Sequence, residues 1–212
     1  MTREEQQNVF YECLREGNRR RCLNLVKEWE QQQLPDEQLY NDIIIPALVH
    51  IGEAWENNEL GIVEEHVATQ TIRTILGYKA ATLTPRRTLH RSALVGCVPE
   101  EHHDVATMIM ANILEKDGWQ VMHFGGSVPR HDLFESIRRI KPDLLCLTMK
   151  SIGCLESTIE LLSDVRATLP DTKILIGGIS MPSVRTILAE YVDVIADDFQ
   201  QGAEQAARLV NA

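Results

Sequence analysis

The sequence predicts an α/β protein in two parts, a bundle of four helices and then a doubly wound, five-stranded parallel sheet. Three observations carry this. Apolar residues recur at helical spacing from the start to about Ala81. From Ser92 onward, short apolar runs alternate with helical patterns, the sign of βα units. Between them Thr82 to Arg91 is polar and basic and contains Pro85, the composition of a linker. With 212 residues and a hydrophobic fraction of 44%, the chain can bury a core in each part. The expected division is residues 1–85 and 86–212.

Thr2 with Glu5 three residues on is a capping-box signature, followed by Val9, Phe10, Cys13 and Leu14 on one helical face. Gly17 ends this helix and Asn18 caps a second, with Cys22, Leu23, Leu25, Val26 and Trp29 inward. Leu34-Pro35-Asp36 restarts the chain with Asp36 as N-cap. A third helix is expected from Glu37 to Asn57, kinked at Pro46, burying Leu39, Ile43, Leu48, Ile51 and Trp55. After a turn at Asn57-Asn58 a fourth runs from Ile62 to Ala81 and presents Val63, Val67, Ile72, Ile75 and Leu76 to the bundle.

The expected strands are Ser92–Cys97, Trp119–Phe124, Leu144–Met149, Lys173–Ile176 and Val192–Ile195. The helices between and after them are His102–Asp117, Arg130–Ile140, Leu155–Leu169, Ser183–Tyr191 and Phe199–Asn211. Right-handed crossovers favour a flavodoxin-like strand order, with helices on both faces.

Composition excludes several function classes. A net charge of -10 argues against direct binding to nucleic acid or an anionic membrane, and the clusters Arg19-Arg20-Arg21 and Arg86-Arg87 with His90 and Arg91 read as solvated faces or linker. The five cysteines form no Cys-x-x-Cys pair, which argues against a disulfide framework and for a reducing compartment. The polar, acidic start is no signal peptide, and no apolar run reaches membrane-spanning length, so a cytoplasmic protein is expected.

In the expected topology the loops after strands one, three and four open on one edge. They contain Glu101 with His103, then Thr148-Met149-Lys150-Ser151, then Gly177-Gly178-Ile179-Ser180. A histidine opening a helix is usually a capping or surface residue. Here Glu101, two residues earlier, can bond the other ring nitrogen, fix the tautomer and raise its basicity, the arrangement of a metal ligand with its supporting carboxylate. Zinc is a poor alternative, because no further ligands lie at metal-site spacing. His102 is expected to point into solvent. Gly177-Gly178 removes two side chains, so backbone can approach a bulky ligand. In the bundle, Trp55 and the pair Glu65-His66 are expected to gather at one end.

At these clusters the sequence resembles the cobalamin-binding modules with a helical cap, a family that includes methionine synthase, methyl-carrying corrinoid proteins and cobalamin-dependent photoreceptor regulators. The resemblance spans nearly the whole chain. The family pattern acid-x-His-x-x-Gly is met by Glu101-His102-His103-Asp104-Val105-Ala106, with Ala106 in place of Gly. Cys146-Leu147-Thr148 stands weakly for the Ser-x-Leu element, and Gly177-Gly178 fits the Gly-Gly element. Ile51-Gly52-Glu53-Ala54-Trp55 followed by Glu65-His66 resembles the photoreceptor branch in particular.

The resemblance implies a Rossmann-like cofactor domain under a helical cap, with His103 as lower axial cobalt ligand and dimethylbenzimidazole displaced. It further implies that Trp55, Glu65 and His66 contact the adenosyl group of adenosylcobalamin. The expected role is a sensor, light-responsive through that cofactor and signalling in transcription regulation, rather than an enzyme. Two departures matter. Glu56 follows Trp55 where the tetrameric photoreceptors carry a histidine, and the cap begins near Met1, so a protein partner is expected to carry the signal. The alternatives are a methyl-carrying corrinoid protein of a methyltransferase system, a haem-binding sensor using the same His103, and an α/β interaction module without cofactor. A homo-oligomer is compatible with the sequence, but no helix face demands one.

Overall fold

The structure, a computed structural model, describes residues 1–179 and 181–209. The chain divides into two compact units, Met1–Thr82 and Leu83–Ala212.

The first unit contains α1 (Arg3–Arg15), α2 (Arg19–Gln31), a short α3 (Asp36–Gln38), a π-helical turn Leu39–Ile44, α4 (Ile45–Glu56) and α5 (Ile62–Thr82). The capping box forms: the Glu5 N–H donates to Thr2 Oγ1 at 3.3 Å and the Thr2 N–H to Glu5 Oε2 at 2.7 Å. Asn18 caps α2 through the Arg21 N–H at 3.1 Å. Phe10, Cys13, Leu14, Cys22, Val26, Trp29, Ile72, Ile75 and Leu76 make the core, and the described helices are joined by short turns.

Three expectations for this unit are corrected. Pro35, not Asp36, precedes the helix, and Asp36 instead pairs with Lys79 Nζ at 2.8 Å. The third helix is not one kinked rod. Pro46 has no N–H to give to the Asp42 carbonyl four residues back, and the chain widens into a π turn in which the Ile45 N–H reaches Tyr40 O. The freed Asp42 carbonyl accepts from Gln7 Nε2. The buried stripe then runs through Tyr40, Ile43, Ile44, Ala47, Ile51 and Ala54, leaving Trp55 43% exposed. Likewise Val63 and Val67, expected inward on α5, are exposed, and Ala68 and Thr71 take their place in the core.

The second unit holds β1 (Ser92–Cys97), α6 (Val105–Lys116), β2 (Gln120–Gly125), α7 (Arg130–Ile140) and β3 (Leu144–Thr148). It continues with α8 (Leu155–Thr168), β4 (Lys173–Gly177), α9 (Met181–Leu188), β5 (Val194–Ala196) and α10 (Phe199–Leu209). The strands are parallel in the order β2-β1-β3-β4-β5, the flavodoxin-like topology. Alternate residues of β1, β3 and β4 enter two cores. Leu145, Leu147, Ile174 and Ile176 pack with α7, α8 and α9. Val95, Leu144, Cys146 and Leu175 pack with α6 and α10. The expected reach of the last helix to Asn211 lies outside the described residues, as does Ser180.

The basic stretch before β1 is fastened to this unit. Arg86 pairs with Asp117 at 3.3 Å and Arg91 with Asp143 at 2.8 Å. The Leu89 N–H donates to Gly118 O at 2.9 Å. No helix among the described residues is long and apolar enough to cross a membrane.

Candidate functional site

The carboxyl edge of the sheet is organised by one buried acid. β1 ends at Cys97, and the Val98 N–H donates to Thr148 O at 3.0 Å, carrying the strand pairing one step further. Pro99 then ends the strand and Glu100 takes a left-handed conformation at φ +66°, which turns Glu101 inward. Helix α6 therefore starts at Val105, three residues later than the pattern alone suggests, and Glu101 to Asp104 form the loop.

Glu101 is 2% exposed and accepts five hydrogen bonds. Its Oε1 receives the His102 N–H (2.8 Å), the His103 N–H (3.1 Å) and His103 Nδ1 (2.5 Å). Its Oε2 receives the N–H groups of Lys150 (3.0 Å) and Ser151 (2.7 Å) from the loop after β3. Burial opposes its ionisation, but the Ser151 N–H, the His103 ring and N–H and the Lys150 N–H outweigh it and lower its pKa to about 2. The acid is ionised at neutral pH and fixes the proton of His103 on Nδ1. The His103 ring is exposed, and its Nε2 has no hydrogen-bond partner among the described residues. The ring is thus oriented from behind through Nδ1, with Nε2 on its outward side.

The loop after β2, which the sequence reading left out, belongs to the same edge. A register shift between Val95 and Gly96 lets the Phe124 ring lie where a Gly96 side chain would stand, and the chain turns through Gly125 and Gly126. A Cβ on Gly126 would meet Glu101 O at 2.6 Å. The Ser127 N–H donates to that carbonyl at 2.7 Å, with Ser127 at φ +62°. His102, exposed as expected, is also held: its Nδ1 lies 2.5 Å from Ser127 Oγ. The start of α6 is anchored from β2 as well. Thr107 Oγ1 donates to Asp104 O at 2.6 Å and lies 2.7 Å from His123 Nε2, which must then carry the ring proton. Burial lowers the His123 pKa, partly offset by the charge of Asp104. The second Gly-Gly pair at a predicted strand end was the available signal for this loop. Lys150 and Ser151 act through backbone N–H groups and so leave none.

Thr148 lies at the end of β3, with its hydroxyl 3.8 Å from Cys97 Sγ. Cys146 is 1% exposed in the core, and burial pushes its thiol up to about 12, so it supports the loop from below without reaching its surface. The two glycines at the end of β4 serve a different neighbour from the one expected. A Cβ on Gly178, at φ +131°, would stand 2.1 Å from Met149 O, and one on Gly177 would stand 3.4 Å from Ala196 O. The missing side chain at Gly178 lets the loops after β3 and β4 close against one another, whereas Gly177 has room for a Cβ. Beyond them Ile152 and Ile179 are exposed.

In the first unit, the five-residue turn from Asn57 to Gly61 joins α4 to α5, so Trp55 and the pair Glu65-His66 lie at the same end of the bundle. Glu65 repeats the carboxylate-histidine theme: its Oε2 is 2.5 Å from His66 Nδ1, and its Oε1 accepts from Thr69 Oγ1 at 2.9 Å. His66 is exposed.

Among the described residues no group of three or more His, Cys, Asp or Glu side chains could hold a metal ion between them. Residues 6–79 and 91–209 each match a family profile described as a B12 binding domain. The HTH-type transcriptional repressor CarH of Myxococcus xanthus is 27% identical over 177 residues, 83% of this chain and 57% of that protein. The repressor CarA of the same organism is 23% identical over 77% of this chain and 57% of that protein. The chain thus spans under two thirds of the length of these curated relatives. Among solved structures, the monomethylamine corrinoid protein of Methanosarcina barkeri superposes with a TM-score of 0.83, covering 98% of this chain and all of that one at 16% identity. That likeness is one of fold. With both units matched by family profiles, the chain belongs to the family of B12-binding domains.

Proposed function

We propose that this chain is a cobalamin sensor that holds adenosylcobalamin and reports its state, including its response to light, to a protein partner in transcription regulation. The observation that carries the reading is the Glu101-His103 pair, a buried carboxylate at 2.5 Å from Nδ1 that leaves Nε2 free to donate to cobalt. Glu101 raises the basicity of that nitrogen, and through the Lys150 and Ser151 N–H groups it ties the ligand loop to β3. Thr148, Gly177 and Gly178 end the neighbouring strands β3 and β4 beside it.

The corrinoid, when bound, supplies a weak cobalt–carbon bond that light can break. Trp55 offers exposed indole surface to the upper group, and Glu65 orients His66 so that its Nε2 faces outward for a polar atom of that group. These three residues distinguish a sensor that reads the upper ligand from a carrier that hands it on. The similarity of the chain to two repressors over both units supports the same choice.

The test is to load the full chain with adenosylcobalamin in the dark and follow its visible spectrum and sedimentation before and after green light. A protein-held spectrum without the signature of the cofactor's own base, changing on illumination together with sedimentation, is the expected result. A spectrum that stays that of free cofactor, or a bound spectrum indifferent to light, contradicts it.

A further inference from the structure

Positive charge in the bundle is gathered in one place. Between Arg3 and Arg73 the lysines and arginines are Arg15, Arg19, Arg20, Arg21 and Lys27, and residues 28–72 contain none. Lys27 lies over the Tyr78 ring at 5.0 Å. The four arginines sit on the last turn of α1 and the first turn of α2, and all are exposed. Much of their charge is unanswered. Arg15 reaches Glu12 at 3.9 Å, Arg21 pairs with Glu16 at 3.2 Å, and Arg19 and Arg20 make no ion pair among the described residues. Nor do the three on α2 stabilise the helix they open, since cations in a first turn oppose its dipole. Beside them Asn18, Arg20, Arg21, Asn24, Leu25 and Glu28 line an open groove of about 350 Å³.

Arginine is the weakly hydrated cation whose planar fork pairs bidentately with a carboxylate, and it is enriched in protein interfaces for that reason. The acids around the cluster narrow the choice of occupant. Glu12 and Glu16 border it and Glu28 lies in the groove, so an extended polyphosphate would meet like charge. A short peptide can place a few carboxylates against the arginines and an apolar residue against the half-buried Leu25. We propose that this cluster and its groove dock an acidic segment of a partner protein. The proposal goes beyond the cobalamin reading and uses none of its residues.

The experiment pans a random-peptide phage library on the immobilised full chain at low salt and reads the composition of the enriched sequences. Enrichment in Asp and Glu around an apolar residue is expected. The most enriched peptide, synthesised with a fluorescent label, is then titrated by anisotropy against three chains. These are the unaltered chain, Arg19→Glu with Arg20→Glu, and Arg138→Glu with Arg139→Glu, which changes the net charge equally at exposed arginines of α7. Affinity is expected to fall about tenfold in the first variant, the scale of two exposed pairs reversed, and by less than about twofold in the second. In the unaltered chain it is expected to fall as salt is raised, a measurement that stands even if a variant fails to fold. No enrichment, enriched peptides without acids, or the same affinity change in both variants overturns the proposal. A single-stranded oligonucleotide of equal charge that binds more tightly than the peptide overturns the choice of a protein partner. None of these outcomes touches the cobalamin reading.

Discussion

Glu101 joins the loops after β1 and β3, and its five acceptor contacts bear on stability and, under the proposed function, on ligation. Lowering its pKa from 4.5 to about 2 corresponds to about 3 kcal/mol of folding free energy. Because the folded pKa is depressed, that stabilisation is complete above the ordinary glutamate range and is lost as pH falls through about 2. Acid unfolding followed by circular dichroism should therefore begin at higher pH in Glu101→Gln than in the unaltered chain. The same variant should bind cobalamin about tenfold or more weakly, as loss of a carboxylate behind a ligating histidine does. Equal acid midpoints and equal affinities would remove Glu101 from both roles. The pairing of Glu101 with His103 was readable from sequence because the two residues are local, two positions apart. The Lys150 and Ser151 contacts were not, since they join residues about fifty positions apart through backbone N–H groups of no particular residue type. Cys146 shows the converse: a position chosen by motif alone is buried in the core by strand alternation.

At the scale of elements, two features of the chain are under constraint. Gly178 closes the loops after β3 and β4, and Gly178→Ala places a methyl 2.1 Å from Met149 O at φ +131°. A loss of about 3 kcal/mol in denaturant unfolding is expected, from strain at that backbone conformation together with the steric conflict. A change below about 0.5 kcal/mol would show that the loops part readily. In the bundle, Lys79 is 8% exposed between Glu30 and Asp36, and Tyr78 Oη donates to Glu30 at 2.9 Å. Burial opposes the Lys79 charge, but Asp36 and Glu30 outweigh it and raise its pKa. The stabilisation is thus complete below the ordinary lysine value of 10.5 and lost as pH rises through the raised one. Lys79→Met, which takes away the ammonium shared by Glu30 and Asp36, should cost about 3 kcal/mol at neutral pH by thermal or denaturant unfolding. None of this was visible in hydrophobic periodicity. The pattern located the third helix but not the π turn, which follows from one missing N–H at Pro46 and one side chain, Gln7, able to take up the carbonyl set free.

At the scale of the whole molecule, the order of elements followed from period alone. The β1 range is the one expected, and α7 runs over Arg130–Ile140 as expected. Strands buried on both faces read as continuous apolar runs, and few competing patterns share that signature. Burial on the bundle was harder to read because an exposed valine and a buried one have the same hydropathy. Val63, Val67 and Trp55 all fit the core stripe and all lie outside it. On the proposed function, Trp55 and His66 contact the upper group of the cofactor. His66→Ala and Trp55→Ala should accordingly weaken binding of adenosylcobalamin more than of hydroxocobalamin, by about fivefold, in paired titrations. An equal effect on both would assign these residues to the bundle alone.

The most direct measurement of the ligand assignment is the electron paramagnetic resonance spectrum of the protein loaded with cob(II)alamin, with natural and with nitrogen-15-labelled histidine. Coordination by His103 predicts that the axial-nitrogen splitting changes from a triplet to a doublet on labelling and disappears in His103→Ala. A triplet that persists in the labelled protein would mean that the cofactor's own base, and not His103, holds the cobalt.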